Sequence, residues 1–329
     1  MIQYHQRYKL EYIIMIKKRH FLIVIGLLLI GLIMGSIFDL EIDRALFSEG
    51  NTFGLIMASF AVYPCYAGLA FIGGGLLATT IKRKELPLWG KIGSYALAAL
   101  AYGLSIYLCG RELPSSNGFD NEKLAIPSYL ICAVLFAAVA FLAFKVCSKG
   151  DAKKYWVACM VMAVIFTVAL LPTGFVVKLI LHRPRYRYCV DGGFTDFYNW
   201  WETCKDYKQI IEQKTMINGH LIDKEEFKSF PSGHSGTAAI MMMFLPYMSI
   251  FFNKMKGKEL LMFYIGFAWT LLMMFSRMLV GAHYLSDTCM GSLIVMVVYY
   301  VVHTFSVSKG WIYKEESPLE ESKQDEVAV

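Results

Sequence analysis

Apolar residues come in long runs along this chain, separated by short charged clusters. A run of roughly 18 or more apolar residues crosses a bilayer as a helix, because ~20 residues at 1.5 Å each span the hydrocarbon core. Eight stretches fit: 21–38, 54–80, 91–109, 126–146, 155–181, 233–252, 260–281 and 284–306. The pattern predicts an all-α, polytopic membrane helix bundle. The second stretch is interrupted by "YPCYAG" and "GGG", which predicts a kink there. The first is too long for the core of a signal peptide and is followed by "FDLEIDRALF" with no small-x-small site, so it reads as a retained helix.

Lysine and arginine then orient the bundle. Arg7, Lys9, Lys17, Lys18 and Arg19 precede the first span, and Lys82, Arg83, Lys84 and Lys91 follow the second. Lys145, Lys149, Lys153 and Lys154 follow the fourth, and Lys254, Lys256 and Lys258 the sixth. With eight alternating helices all four groups share one side, while the opposing short loops hold Arg44 in one and Arg111 and Lys123 in the other. By the positive-inside rule both termini are expected in the cytoplasm of a multi-pass cell-membrane protein, with the loops after spans one, three, five and seven outside. Residues 1–20 read as a cytoplasmic segment, 21–306 as the membrane domain and 307–329 as a disordered acidic tail.

Composition agrees: 57% of the 329 residues are hydrophobic and 18% charged, with a mean hydropathy of +0.47. The net charge of +6 follows from loop topology, so no nucleic-acid partner is expected. Six of the eight cysteines lie in or beside spans and read as small apolar residues; Cys189 and Cys204 share the long outward loop, where both a disulfide and two free thiols fit.

Three polar clusters sit at the outward ends of the last four spans, where ionisable groups are costly without a purpose. In "KLILHRPRYRY", a helix persisting to about His182 would set Lys178 and Arg185 close to two turns apart on one face, with Arg183, Arg185 and Arg187 at the surface. A collar of snorkelling cations and an anion cradle both fit. In "PSGH", Pro231 suits a first helical position, Ser232 offers a hydroxyl, Gly233 admits a ligand to the backbone, and His234 stands beside any anion there. A simple helix cap with an incidental histidine fits as well. In "SRMLVGAHYLSD", Arg277 closes one span while His283 and Asp287 share a helical face in the next, so the carboxylate could fix the imidazole tautomer. A structural His–Asp pair is the plainer alternative, and no further cluster completes a metal shell. Three cations, a helix start and two histidines together match phosphoryl transfer, in which charged oxygens are neutralised and the rest is positioning.

At this point the chain resembles the type-2 phosphatidic acid phosphatase superfamily, which includes lipid phosphatases and undecaprenyl pyrophosphate phosphatases. Ser276, Arg277, His283 and Asp287 match its SR-x5-H-x3-D motif, and residues 231–234 match PSGH. Lys178 and Arg185 match K-x6-RP except that Tyr186 replaces the proline, with Pro184 one register earlier. The resemblance implies a membrane-bound phosphatase acting on an amphiphilic phosphorylated lipid at the outer face, without metal or other cofactor. It implies His283 as nucleophile, Asp287 as its orienter and His234 as general acid. Lys178, Arg185, Arg277, Ser232 and Gly233 would hold phosphate, with Arg183 accessory. Polyprenyl pyrophosphate is the first substrate expected. A lipid phosphotransferase using the same phospho-histidine is the alternative, and an anion transporter a remote one. The family core has six helices, so 91–146 reads as an inserted helix pair, and the aromatic segment "FYNWWETC" of loop 187–230 caps the site, meets the lipid interface, or belongs to a partly ordered loop without a substrate role.

Overall fold

The computed structural model describes residues 16–112, 124–171, 178–193, 195–213, 216–217, 220–222 and 224–312. The acidic tail beyond 312, Arg7, Lys9 and Lys123 lie outside the described residues. Seven helices are long and apolar enough to cross a membrane. The described chain is helical apart from a two-residue antiparallel hairpin, Met216–Ile217 with His220–Leu221, in the long loop.

The first helix, α1 (Lys18–Leu46), runs eight residues past the expected end of span one. Its buried positions are Phe21, Val24, Leu28, Leu32, Gly35, Asp39 and Asp43, a stripe at helical spacing that continues through two carboxylates. The charges that marked the span's end in sequence are core positions in three dimensions. The second expected span is two helices, α2 (Thr52–Phe60) and α3 (Tyr63–Lys82), with Pro64 in the first turn of α3. The triple glycine is not a kink but a contact surface: a Cβ on Gly74 would stand 2.0 Å from the Ala140 carbonyl oxygen, and one on Gly73 2.9 Å from that of Ala98. Here α3 meets α4 (Leu88–Gly110) and α5 (Ala125–Lys149), the two helices beyond the family's expected six, which pack on α3 and on each other.

The chain continues through α6 (Ala152–Leu171) and the one-turn α7 (Lys178–Leu181). The long loop carries a π-helical turn at Tyr186–Val190, the short α8 (Tyr207–Glu212) and a 3₁₀ turn at Lys224–Phe227. The sixth expected span is broken into α9 (Gly233–Ala239) and α10 (Met241–Phe251), with Pro246 inside the latter. Neither piece alone has the length to span, which is why seven candidates stand where eight were expected. Two full spans close the bundle, α11 (Glu259–Leu279) and α12 (Leu285–Ser308).

Helix α12 packs against α1, α6 and α9 and forms the centre of the bundle. Gly31 and Gly35 let α1 approach it, since a Cβ on Gly35 would lie 2.5 Å from the Ser286 nitrogen. Large apolar side chains such as Ile30, Ile33, Ile37, Ile126, Leu130 and Leu261 point outward, as a lipid-facing surface requires. The distal halves of α10 and α12 bury a small polar group in which Tyr247 Oη lies 3.2 Å from His303 Nδ1.

Candidate active site

All three sequence clusters converge at the end of the bundle where α1 and α4 finish and α9 and α12 begin. Backbone hydrogen bonds stitch them together. Ser229 N donates to Arg183 O at 3.1 Å, Ser232 N to Asp287 O at 3.0 Å, Ala282 N to Arg277 O at 3.0 Å and Arg187 N to Gly281 O at 3.0 Å. Gly281, at φ +57°, supplies the left-handed turn between α11 and α12 and lies against Arg187. Gly291 clears space for the other approach, because a Cβ there would stand 2.3 Å from Ser232 O.

Helix α9 starts two residues later than expected. Ser232, not Pro231, borders the helix, and its hydroxyl accepts from Ser235 N at 3.3 Å, as an N-cap does. Pro231 therefore precedes the cap. Lys178 Nζ reaches to 3.4 Å from where a Gly233 Cβ would be, so the lysine covers the glycine face of the turn. Lys178 and Arg185 do not share one helix. Helix α7 ends at Leu181, His182 takes a left-handed φ of +46°, and Arg185 follows in extended backbone.

His283 is buried in the loop between α11 and α12. Its Nδ1 lies 2.6 Å from the Ser229 carbonyl oxygen and 3.9 Å from Asp287 Oδ2. A carbonyl only accepts, so Nδ1 carries the proton and Nε2 keeps its lone pair. The direct orienting partner is thus the Ser229 carbonyl, where Asp287 was expected. Asp287 acts one step removed: it accepts from the hydroxyl of Ser229, from Tyr284 N at 2.9 Å and from the Arg183 guanidinium. Burial, then the nearby Arg185, Lys178, Arg277 and His234, hold the His283 imidazole well below its usual pKa. It is a neutral ring among cations.

Arg277 is 5% exposed, and its Nε and Nη1 have no hydrogen-bond partner among the described residues. Unpartnered buried guanidinium nitrogens are costly unless an anion completes them. Arg185 leaves Nε unpartnered as well, with Nη1 3.8 Å from Glu226 Oε1.

Arg183 and Arg187 were expected at the surface and are not. Arg183, 1% exposed, donates to Asp39 at 2.9 Å, to Ser286 Oγ at 2.9 Å and to Tyr198 O at 2.8 Å, besides Asp287. Its guanidinium also lies over the Tyr284 ring at 4.0 Å. The orientation of this arginine follows from its acids: both sit on the side away from solvent. Arg187 pairs with the buried Glu226 through Nη2 at 2.8 Å and Nε at 3.2 Å.

Residues 154–311 match the family model of the PAP2 superfamily. This segment belongs to that superfamily. Members of that superfamily are phosphatases, and the match supports a phosphoester hydrolase acting on a phosphorylated lipid or related substrate. No curated protein and no solved structure matches the chain.

Several residues that build this PAP2 site escaped sequence reasoning. Ser229 and Glu226 lie in the long loop. Asp39 lies in α1, where its carboxylate accepts from Ser286 N at 3.0 Å and from the Ser286 hydroxyl at the start of α12. Glu112, just past α4, brings Oε2 to 3.3 Å from His234 Nε2, close enough for an ion pair but out of line for a good hydrogen bond. Burial raises its pKa, yet the opposing pull of His234, Arg111 and Arg277 is stronger and holds the carboxyl below its usual range. Asp39 and Glu112 both precede the matched segment. The usable signal was an acid at the outward end of an apolar helix, which needs a buried cation to meet it.

The aromatic loop segment is structural support. Trp200 stacks on Phe230 at 5.3 Å and donates Nε1 to Ser36 Oγ at 2.8 Å, while Phe197 meets Tyr284 edge-on at 5.4 Å. Cys189 and Cys204 are free thiols, both buried in one small cluster with Ile222 and Phe227. Burial pushes the Cys189 thiol up to about 12. Among the described residues no group of three or more His, Cys, Asp or Glu could hold a metal ion.

Proposed function

We propose that this protein hydrolyses a lipid phosphate or pyrophosphate at the outer membrane face through a phospho-histidine on His283. The observation that carries the reading is the setting of His283, its Nδ1 2.6 Å from a carbonyl oxygen and Lys178, Arg185 and Arg277 around it, where burial and those cations favour the neutral ring. The three cations, with Ser232 and Gly233 at the start of α9, receive the equatorial phosphate oxygens. Nε2 attacks phosphorus as the bond to the leaving oxygen breaks, and protonated His234 gives that oxygen its proton. Water then attacks phosphorus, the P–N bond returns its electron pair to Nε2, His234 takes the water proton, and inorganic phosphate departs.

Topology supports the outer face. Lys82, Arg83, Lys149, Lys153, Lys154, Lys254, Lys256 and Lys258 lie at the bundle end opposite the site, as the positive-inside rule expects for a cytoplasmic side. An outward site suits recycling of a polyprenyl pyrophosphate carrier, the first substrate to try. The paired cations meet phosphate charge, so turnover is expected to need no metal.

The test is phosphate release by purified protein, in EDTA, from polyprenyl pyrophosphate, phosphatidic acid, phosphatidylglycerol phosphate and a soluble sugar phosphate, with and without alcohol acceptors. Release from the lipids but not the sugar phosphate is expected. His283→Ala should abolish both turnover and the phospho-enzyme. An acid-labile phospho-enzyme that persists in His283→Ala and vanishes in His234→Ala would reverse the two roles.

A further inference from the structure

We propose that Glu112, carried to the site by α4 from outside the matched segment, is a positioning residue that favours the protonated His234 against the surrounding cations and steadies it toward the leaving group. The proposal rests on the reading of His234 as general acid.

The two histidines face opposite surroundings. His283 has a carbonyl on Nδ1 and cations around it, and its nearest carboxylate, Asp287, is already engaged by Arg183, Ser229 and Tyr284. His234 has the Glu112 carboxylate at 3.3 Å from Nε2. A general acid must carry its proton when substrate arrives, and the cations that suit a nucleophilic imidazole oppose that. The groups facing His234 are Arg277 from α11, Lys178 from α7 and Glu112 from the end of α4, with Arg111 and Tyr66 beyond the glutamate. Burial, then Arg277, hold the His234 imidazole below its usual pKa, His283 lies within electrostatic reach as well, and only the carboxylate in that set opposes them in favour of the imidazolium. Pushing the protonation preferences of two like groups apart through their environments is how acid and nucleophile are assigned in one site.

Geometry agrees with this division. Glu112 is 8% exposed, so its charge cannot be left to water. Its Oε1 lies 3.6 Å from Arg111, whose side chain is half exposed, and its Oε2 is turned to the histidine. With Nε2 facing Glu112, Nδ1 is the nitrogen left for the leaving oxygen. A carboxylate behind an imidazole fixes ring orientation and supports the charge that the ring carries. The extra helix pair thereby gains a role in the chemistry besides packing on α3.

The experiment compares wild type, E112Q, E112D, H234A and E112Q/H234A as full-length protein in lipid, under single turnover, on an alkyl phosphate and on a dinitrophenyl phosphate. E112Q should lose about 10–10²-fold on the alkyl substrate, a part of the ~10²–10⁴-fold that general-acid catalysis supplies, and less than about threefold on the activated ester. The basic limb of its alkyl-substrate pH profile should move about one unit lower, since an opposite charge at this distance shifts a pKa by about 1–3. E112D, which keeps the charge, should recover part of the loss, and E112Q/H234A should be no worse than H234A. Equal losses on both substrates, an E112D as poor as E112Q, or a full E112Q effect in the H234A background would overturn the proposal. If H234A itself shows no leaving-group dependence, the general-acid assignment fails, whatever Glu112 does.

Discussion

Removing one charge from the Asp39–Arg183–Asp287 group should cost more stability than any surface change and should do so in a set order. The Asp39 carboxylate serves three donors: Ser286 N at 3.0 Å, the Ser286 hydroxyl, and Arg183 Nη2 at 2.9 Å. An asparagine there offers one acceptor and turns an amide N–H₂ toward the remaining donor. With the amide oxygen in the Oδ2 place, the Ser286 N bond is lost and the Arg183 contact loses its carboxylate charge; at about 1.5 kcal/mol for each, Asp39→Asn should destabilise by about 3 kcal/mol. Arg183 still faces Asp287 in that variant, so charge stays balanced. Arg183→Met is worse, because it leaves Asp39 and Asp287 buried without their cation. Asp43 is close by, and neither of its carboxyl oxygens meets a donor among the described residues. The expected loss is about 5 kcal/mol, the upper end for breaking a buried pair. Because the two residues share one network, the double variant should fall well short of the sum. Denaturant titration in bicelles, followed by tryptophan fluorescence, measures all three. An Asp39→Asn within about 0.5 kcal/mol of wild type, or an Arg183→Met milder than Asp39→Asn, would show that the network is not what joins α1 to the site.

Gly291→Ala should displace the 231–234 turn, since its Cβ would stand 2.3 Å from Ser232 O, and cut kcat/KM at least tenfold; Gly26→Ala, with open space around it, should not. The pH profile of kcat/KM should place the acid limb of the enzyme below 6.5, because a depressed His283 stays neutral until pH falls through its lowered pKa. Two substrates of different phosphate pKa distinguish the enzyme's limb, which does not move, and a limb at or above 6.5 contradicts the site electrostatics. Vanadate should inhibit competitively by occupying the cation cradle, and a non-competitive pattern would place its site elsewhere. A cysteine introduced at Glu202 should react with an impermeant thiol reagent in intact cells and one at Lys256 should not; native Cys189 and Cys204, buried and with raised pKa values, should stay silent at pH 8.

The bundle and its three site clusters were legible in sequence for a common reason: each is local. A span needs ~20 consecutive apolar residues, and each cluster lies within about a dozen positions. Residues recruited across the fold left only indirect traces. Asp39 and Asp43 ended span one on paper because a window sees charge and not the arginine, 144 positions away, that meets Asp39 in the core. Arg183 and Arg185 stand two apart in one cationic string; the motif spacing from Lys178 singles out Arg185, but residue type alone does not mark Arg183 as the structural cation. The distinction comes from where their acids lie, with Asp39 and Asp287 on one side and Glu226 on the other.

Loop burial explains the rest. Ser229 orients His283 through its backbone carbonyl, a group every residue possesses, so no side-chain pattern announces it. Its hydroxyl then accepts a second task, donating to Asp287, which in turn binds Arg183 and caps the start of α12 through Tyr284 N. The expected His283–Asp287 contact is replaced by a chain that runs imidazole, carbonyl, serine, carboxylate, guanidinium. Such an arrangement separates two demands that one contact would set against each other. A carboxylate directly on Nδ1 favours the imidazolium, whereas a carbonyl fixes the same tautomer without adding charge. In the role proposed for His283, a nucleophile that must arrive neutral among three cations gains from the second. His234, in its proposed role as acid, has the opposite need, and there the carboxylate lies in direct reach.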